Sequence, residues 1–165
     1  MRPFCTSLRP LFNKGMRNDV QVVADDATQI TRAIDRSFES SDVVITTGGL
    51  GPTKDDITKA TLCNYFGGTL VENPDVLANV KRVIEARGLE LNDLTARQAL
   101  VPTSCRVIQN TVGTAPIMWF EREGKILIAM PGVPFETREM LDSAIVPQLT
   151  EHFTSADNYE HRSVL

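Results

Sequence analysis

The stretch VVITTGGLGPTKDDITK, residues 43–59, decides how this chain is read. Val43, Val44 and Ile45 form a compact apolar run, the pattern of a strand buried on both faces. Gly48, Gly49 and Gly51 then interrupt it. Glycine reaches positive φ without strain and leaves no side chain to hold a ligand away from the backbone. A strand ending in such a turn and feeding a helix is where α/β sheets place anionic ligands, beyond the carboxyl ends of the strands and at a helix N-terminus. Thr47 and Thr53 add hydroxyl donors. The turn is not a Walker A loop, since no Gly-Lys-Ser/Thr closes it, and it does not fit Gly-x-Gly-x-x-Gly. Two readings of the residues stay open: a phosphate cradle, or a tight strand-to-helix turn without a ligand.

Asp55 and Asp56 sharpen the question. As first-turn residues they serve as N-cap and dipole compensation. As functional residues they would hold a divalent cation against phosphate oxygens or activate water. Neighbours on a helix point about 100° apart, so one of the two faces a ligand at the turn. Lys54 and Lys59 can neutralise the site or stand as solvated surface lysines.

Outward from this core, strand and helix signals alternate. Val20, Val22 and Val23 predict a strand. Asp25 and Asp26 offer an N-cap to a helix with Ile30, Ala33, Ile34 and Phe38 on one face, ended by Ser40 and Ser41. Ala60, Leu62, Tyr65 and Phe66 mark a helix closed by Gly67 and Gly68. The next helix has Asn73 as N-cap, Pro74 at its first position and Gly88 past its end. A short helix is predicted over 94–100 and a strand over 105–108. Strands over 117–120 and 125–130 predict a hairpin around a four-residue loop, Glu121 to Gly124. Pro131, Gly132, Val133 and Pro134 form a rigid loop into a last helix through Met140, Leu141 and Ile145. Residues 159–165 read as the start of a further strand.

This order predicts an α/β fold of three layers, α/β/α, with a mainly parallel sheet and an added antiparallel hairpin. The opening, Arg2 to Gly15, reads as a proline-interrupted amphipathic stub with no strand before it, although such a sheet normally starts with a strand. Two further loops are candidates for the site. One is 110–116, with Asn110, Gly113 and Thr114; the other is 131–136, with Pro131, Gly132 and Glu136 in the first turn of a helix. Plain loop chemistry explains each from the residues alone.

Composition narrows the partners. The chain has 165 residues, 42% hydrophobic and 23% charged, which suits one globular domain. No apolar run approaches the ~18 residues that span a bilayer, and no signal peptide is read at the N-terminus. The net charge is −4, with no block of Lys or Arg, a poor match to nucleic acid. Cys5, Cys63 and Cys105 are scattered and odd in number, against a disulfide framework or a structural zinc site. His152 and His161 have no metal-like partner nearby in sequence. The expected compartment is the cytoplasm.

Taken together, TTGGLGPTKDDITK at 46–59, RQALVP at 97–102, NTVGTAP at 110–116 and MPGVPFE at 130–136 resemble the N-terminal domain of the CinA (competence/damage-inducible) family. That domain shares the molybdopterin-binding fold of MoaB, MogA and MoeA. The resemblance covers the chain from about residue 13 onward. It implies a nucleotide pyrophosphatase acting on ADP-ribose with a divalent metal, Mg²⁺ or Co²⁺, held by Asp56 and Asp55. It places the ligand on Thr47, Gly48, Gly49, Leu50, Gly51, Thr53, Asn110, Gly113, Thr114, Pro131, Gly132 and Glu136. Relatives in the molybdenum pathway carry Thr at the third turn position where this chain has Leu50, which counts against molybdopterin. The alternative is a non-catalytic nucleotide- or molybdopterin-binding module. A homo-oligomer, a dimer first, is expected, with no nucleic acid or membrane partner. Residues 1–12 do not match the family's opening strand, and 159–165 resemble the start of its middle domain. The expectation is therefore a single domain over 1–158, incomplete at both ends, lacking the family's first strand, which lines the site, and without the family's separate amidase domain.

Overall fold

The computed structural model describes residues 20–51 and 57–155. It divides into one unit of residues 21–137 and a second of residues up to 20 and from 138 onward.

The first unit opens with helix α1, Ala27–Ser40, capped by Asp26, whose carboxylate accepts from the Gln29 N–H at 2.9 Å. Its stripe Ile30, Ala33 and Ile34 is buried. Strand β1, Val43–Thr47, follows, then helix α2, Thr58–Phe66, ended by Gly67 at φ +71°. Strand β2, Leu70–Glu72, leads to helix α3, Pro74–Ala86, where Asn73 Oδ1 accepts from the Asp75 and Val76 N–H groups. Here Pro74 fills a position whose N–H would have no helical partner. A single helical turn, α4, Asp93–Ala96, and a 3₁₀ turn, Arg97–Ala99, lead into β3, Leu100–Pro102. The unit closes with β4, Arg106–Ile108, β5, Ile117–Arg122, β6, Lys125–Met130, and the start of α5, Pro134–Met140.

The main sheet runs β1-β6-β5-β4. β1 is parallel to β6, in register from Val43 with Ile126 to Thr47 with Met130. β5 is antiparallel to β6 and to β4. The fold is thus the mixed α/β type that the sequence predicts, a parallel crossover with an antiparallel hairpin added. Leu50, Leu62, Met118, Phe120, Leu127 and Ala129 join Ile30 and Ile34 in one core. Val76, Val80, Ile84, Ala99 and Val101 form a second, under α3.

Four local expectations are corrected. Residues 20–23 are not a strand; Val22 is fully exposed. β-Branched composition alone makes no strand without a ladder to join. β1 is half-buried rather than buried on both faces, because among the described residues it is an edge strand. The helix expected over 94–100 stops at Ala99, and Leu100–Pro102 pairs with β2 in a two-stranded antiparallel ladder, where an edge tolerates Pro102. The hairpin turns on Glu123 and Gly124 alone, at φ +53° and +75°, the two positive values that match the twist of paired strands.

In the second unit α5 continues through a π-helical turn, Leu141–Ile145, into α6, Val146–Ser155. Met140, Leu141, Ile145 and Leu149 are buried. The strand expected over 159–165 lies outside the described residues.

Candidate functional site

Strand direction gathers the site. β1 and β6 run parallel, so the turn after Thr47 and the loop after Met130 leave the sheet side by side. The ladder extends one step, with the Gly48 N–H donating to Met130 O at 3.0 Å. β5 runs the other way, so residues 109–116, which lead from β4 into β5, emerge at this same end.

The turn is fixed by steric fit. Gly48 and Gly49 have φ +97° and +65°. A Cβ on Gly49 would stand 2.0 Å from Thr58 Oγ1, so the turn lies against the start of α2 as only glycine allows. A Cβ on Gly132 would stand 3.1 Å from Gly48 Cα, which brings the 131–136 loop against the turn. Thr137, buried in α5, donates its hydroxyl to Pro131 O and ties that loop back on itself.

The opposite wall is fixed by side-chain hydrogen bonds. Asn110 is fully buried. Its Nδ2 donates to Ala115 O at 3.0 Å and to Glu136 Oε2 at 2.8 Å, and its Oδ1 accepts from the Val112 N–H at 3.2 Å. Glu136 sits so close that a Cβ on Gly113 would overlap its carboxylate at 2.0 Å. From α3, Asn79 Nδ2 donates to Asn110 O at 2.9 Å and to Gly113 O at 3.1 Å. Arg82 donates to Asn79 Oδ1 at 2.7 Å and to Thr111 O at 3.0 Å. Gln98 Nε2 reaches Thr114 Oγ1 at 3.4 Å, and Gln98 O accepts from Lys59 Nζ at 3.3 Å. Lys59 lies in the first turn of α2, beside Thr58.

These contacts close a ring. It runs from Gly49 through Thr58 and Lys59 to Gln98, Thr114, Asn110 and Glu136, and returns through Gly132 to Gly48. Of the residues singled out in the sequence, Gly48, Gly49, Asn110, Gly113, Thr114, Pro131, Gly132 and Glu136 are brought together in it, and Thr47 and Gly51 adjoin the turn. Leu50 is placed differently: its side chain is 2% exposed and packs in the main core. Thr53, Asp55 and Asp56 lie outside the described residues.

Sequence reading missed Gln98, Asn79, Arg82, Thr58 and Thr137 as parts of the site, and it left Lys59 between two roles. Gln98 stood within the RQALVP motif, but nothing near it in sequence names its partner, 16 residues away. Asn79 and Arg82 are one helical turn apart on α3, a spacing shared with any solvated helix face.

Among the described residues no group of three or more His, Cys, Asp or Glu side chains comes together to hold a metal ion. Glu136 is the carboxylate of the ring, and one of its oxygens already accepts from Asn110. The described residues therefore do not by themselves fit the divalent metal that the resemblance implies. Among the described residues, neither Cys63 nor Cys105 offers an activated thiol. Burial pushes Cys63 up, and burial with the neighbouring Cys63 pushes Cys105 to about 11, so both stay protonated at neutral pH.

The arrangement defines an α/β domain with a candidate site at the carboxyl end of its parallel strands. Comparison with known proteins specifies it. The family described as "probable molybdopterin binding domain" matches residues 11–151. A CinA-like protein of Cytophaga hutchinsonii is 45% identical over 131 residues, 79% of this chain and 31% of its own length. A CinA-like protein of Flavobacterium psychrophilum is 44% identical over 128 residues, 77% of this chain and 31% of its own length. The crystal structure of the protein CinA, of unknown function, from Thermoplasma acidophilum superposes with a TM-score of 0.70 at 35% identity, covering 85% of this chain and 82% of that one. The tungsten cofactor synthesizing protein MoaB from Pyrococcus furiosus shares the fold, with a TM-score of 0.51 at 20% identity, covering 87% and 80%. The chain belongs to the probable molybdopterin binding domain family, among its CinA-like members. It spans about a third of the length of the curated relatives it matches. Among the described residues no helix is long and apolar enough to cross a membrane.

Proposed function

We propose that the chain binds a nucleotide diphosphate of the ADP-ribose class inside this ring, diphosphate on the Gly48 turn, and hydrolyses it. The observation that carries the reading is the pair of left-handed glycines, Gly48 and Gly49, the second lying against Thr58 at the start of α2. With the Gly48 N–H committed to Met130 O, the amides of Gly49, Leu50 and Gly51 are those an anion would meet, and the N-terminal end of a helix favours negative charge there. A phosphate can approach this backbone because no Cβ intervenes at Gly48, Gly49 or Gly51. The ring also offers Thr47 and Thr114 as hydroxyl partners for the rest of a ligand.

Hydrolysis rests on Asp56 and Asp55, which the resemblance assigns to Mg²⁺ or Co²⁺. Incubating the purified chain with ADP-ribose and either ion tests it: the expected result is release of AMP, and an intact fold that releases none refutes it. A second reading is binding without turnover, since Glu136, a carboxylate that the described residues bring to the ring, is already engaged by Asn110. Calorimetry that registers ADP-ribose binding while no AMP forms selects this one. A pterin-handling role would instead show retention of molybdopterin and indifference to ADP-ribose.

A further inference from the structure

One group in the ring has no function in the phosphate cradle. Gln98, held in the 3₁₀ turn ahead of β3, is 6% exposed. One end of its carboxamide reaches Thr114 Oγ1, and its Oε1 is buried with no hydrogen-bond partner. A carboxamide has donors at one end and an acceptor at the other, and buried amides ordinarily satisfy both. With Nε2 on the Thr114 hydroxyl, the acceptor end of the amide is left unsatisfied. That defect weakens the fold, and a buried unsatisfied group calls for an explanation, of which a ligand group is one. Its position fits. Gln98 joins the two walls, touching α2 through Lys59, itself 7% exposed, and the 110–116 loop through Thr114.

We propose that Gln98 is a specificity-determining residue that reads a ribose hydroxyl of the bound nucleotide with this unsatisfied amide end. The inference rests on the nucleotide reading above and adds to it the part of the ligand that is recognised opposite the glycine turn. A hydroxyl both donates and accepts, so it satisfies either end of the amide. A phosphate oxygen only accepts, and the Gly48 turn already supplies donors for it on the other wall. A site built to bond a hydroxyl discriminates strongly against the analogue lacking it, because the protein's own polar group is then left unpaired.

The test is a cycle between protein and ligand. Gln98→Met keeps the length of the side chain and removes both polar ends. Affinities of wild type and Gln98→Met are measured by calorimetry for ADP-ribose and for its analogues lacking single ribose hydroxyls. For the wild type, one analogue is expected to bind about tenfold more weakly than ADP-ribose, the factor that one neutral hydrogen bond supplies. For Gln98→Met the two are expected to bind alike. Gln98→Met gives up the long bond to Thr114 together with the unsatisfied atom, so the unliganded variant is expected to melt close to wild type. If Gln98→Met weakens ADP-ribose and every analogue by one common factor, Gln98 is structural and the inference is overturned while the nucleotide reading stands. If wild type binds no ADP-ribose at all, the nucleotide reading falls and this inference with it.

Discussion

The two walls of the ring are held by different physics. The Gly48 turn keeps its shape by exclusion: positive φ at Gly48 and Gly49, Gly49 against Thr58, and Gly132 against Gly48. The 110–116 loop keeps its shape by attraction, through Asn110, Asn79, Arg82 and Glu136. A wall set by sterics tolerates no added atom. A wall set by hydrogen bonds tolerates loss in proportion to how deeply each bond is buried. The glycine wall should therefore fail abruptly and the polar wall by degrees.

Gly49→Val is the sharpest way to break that comparison. A β-branched residue at φ +65° is strained, and its Cβ would sit 2.0 Å from Thr58 Oγ1. Urea unfolding should show a loss of roughly 3 kcal/mol or more, with ligand affinity abolished. On the other wall Asn110→Leu removes three part-buried hydrogen bonds from a residue with no exposed surface, and a loss of about 2–4 kcal/mol is expected.

Gly113→Ala tests whether the polar wall also contains a steric lock. The new methyl would displace the Glu136 carboxylate and press on Asn110 Nδ2, 2.6 Å away, for an expected loss of about 1–3 kcal/mol. Combining it with Glu136→Ala should recover part of that, and additive losses in the double-mutant cycle would deny the contact. The smallest effect belongs to Arg82→Ala. Arg82 is exposed and braces the loop from outside, so its removal should change stability by no more than about 1 kcal/mol.

The same contrast explains what could be read in the sequence. Glycine's meaning is local: Gly48 and Gly49 following Val43, Val44 and Ile45 announce a strand, a turn and a site without knowledge of the rest of the chain. Asn73, Pro74 and Gly88 likewise gave both ends of α3 by cap chemistry that acts within one turn. A hydrogen-bonded wall has no such signature. Asn110 pairs with Glu136, 26 residues on, and Asn79 with Gly113, 34 residues on, so the network exists only once β4, β5 and β6 are aligned. The β2–β3 ladder was hidden for a related reason: Leu70, Val71 and Glu72 are all exposed and show no apolar alternation to read. Val20, Val22 and Val23 misled in the other direction, being β-branched but without a neighbour to pair with.

That both walls face one ligand can be measured directly by hydrogen exchange with peptide resolution, in the presence and absence of saturating ADP-ribose. Slowed exchange at residues 48–51 together with 110–115 is the predicted footprint. Protection confined to one wall, or found only elsewhere in the chain, would contradict it.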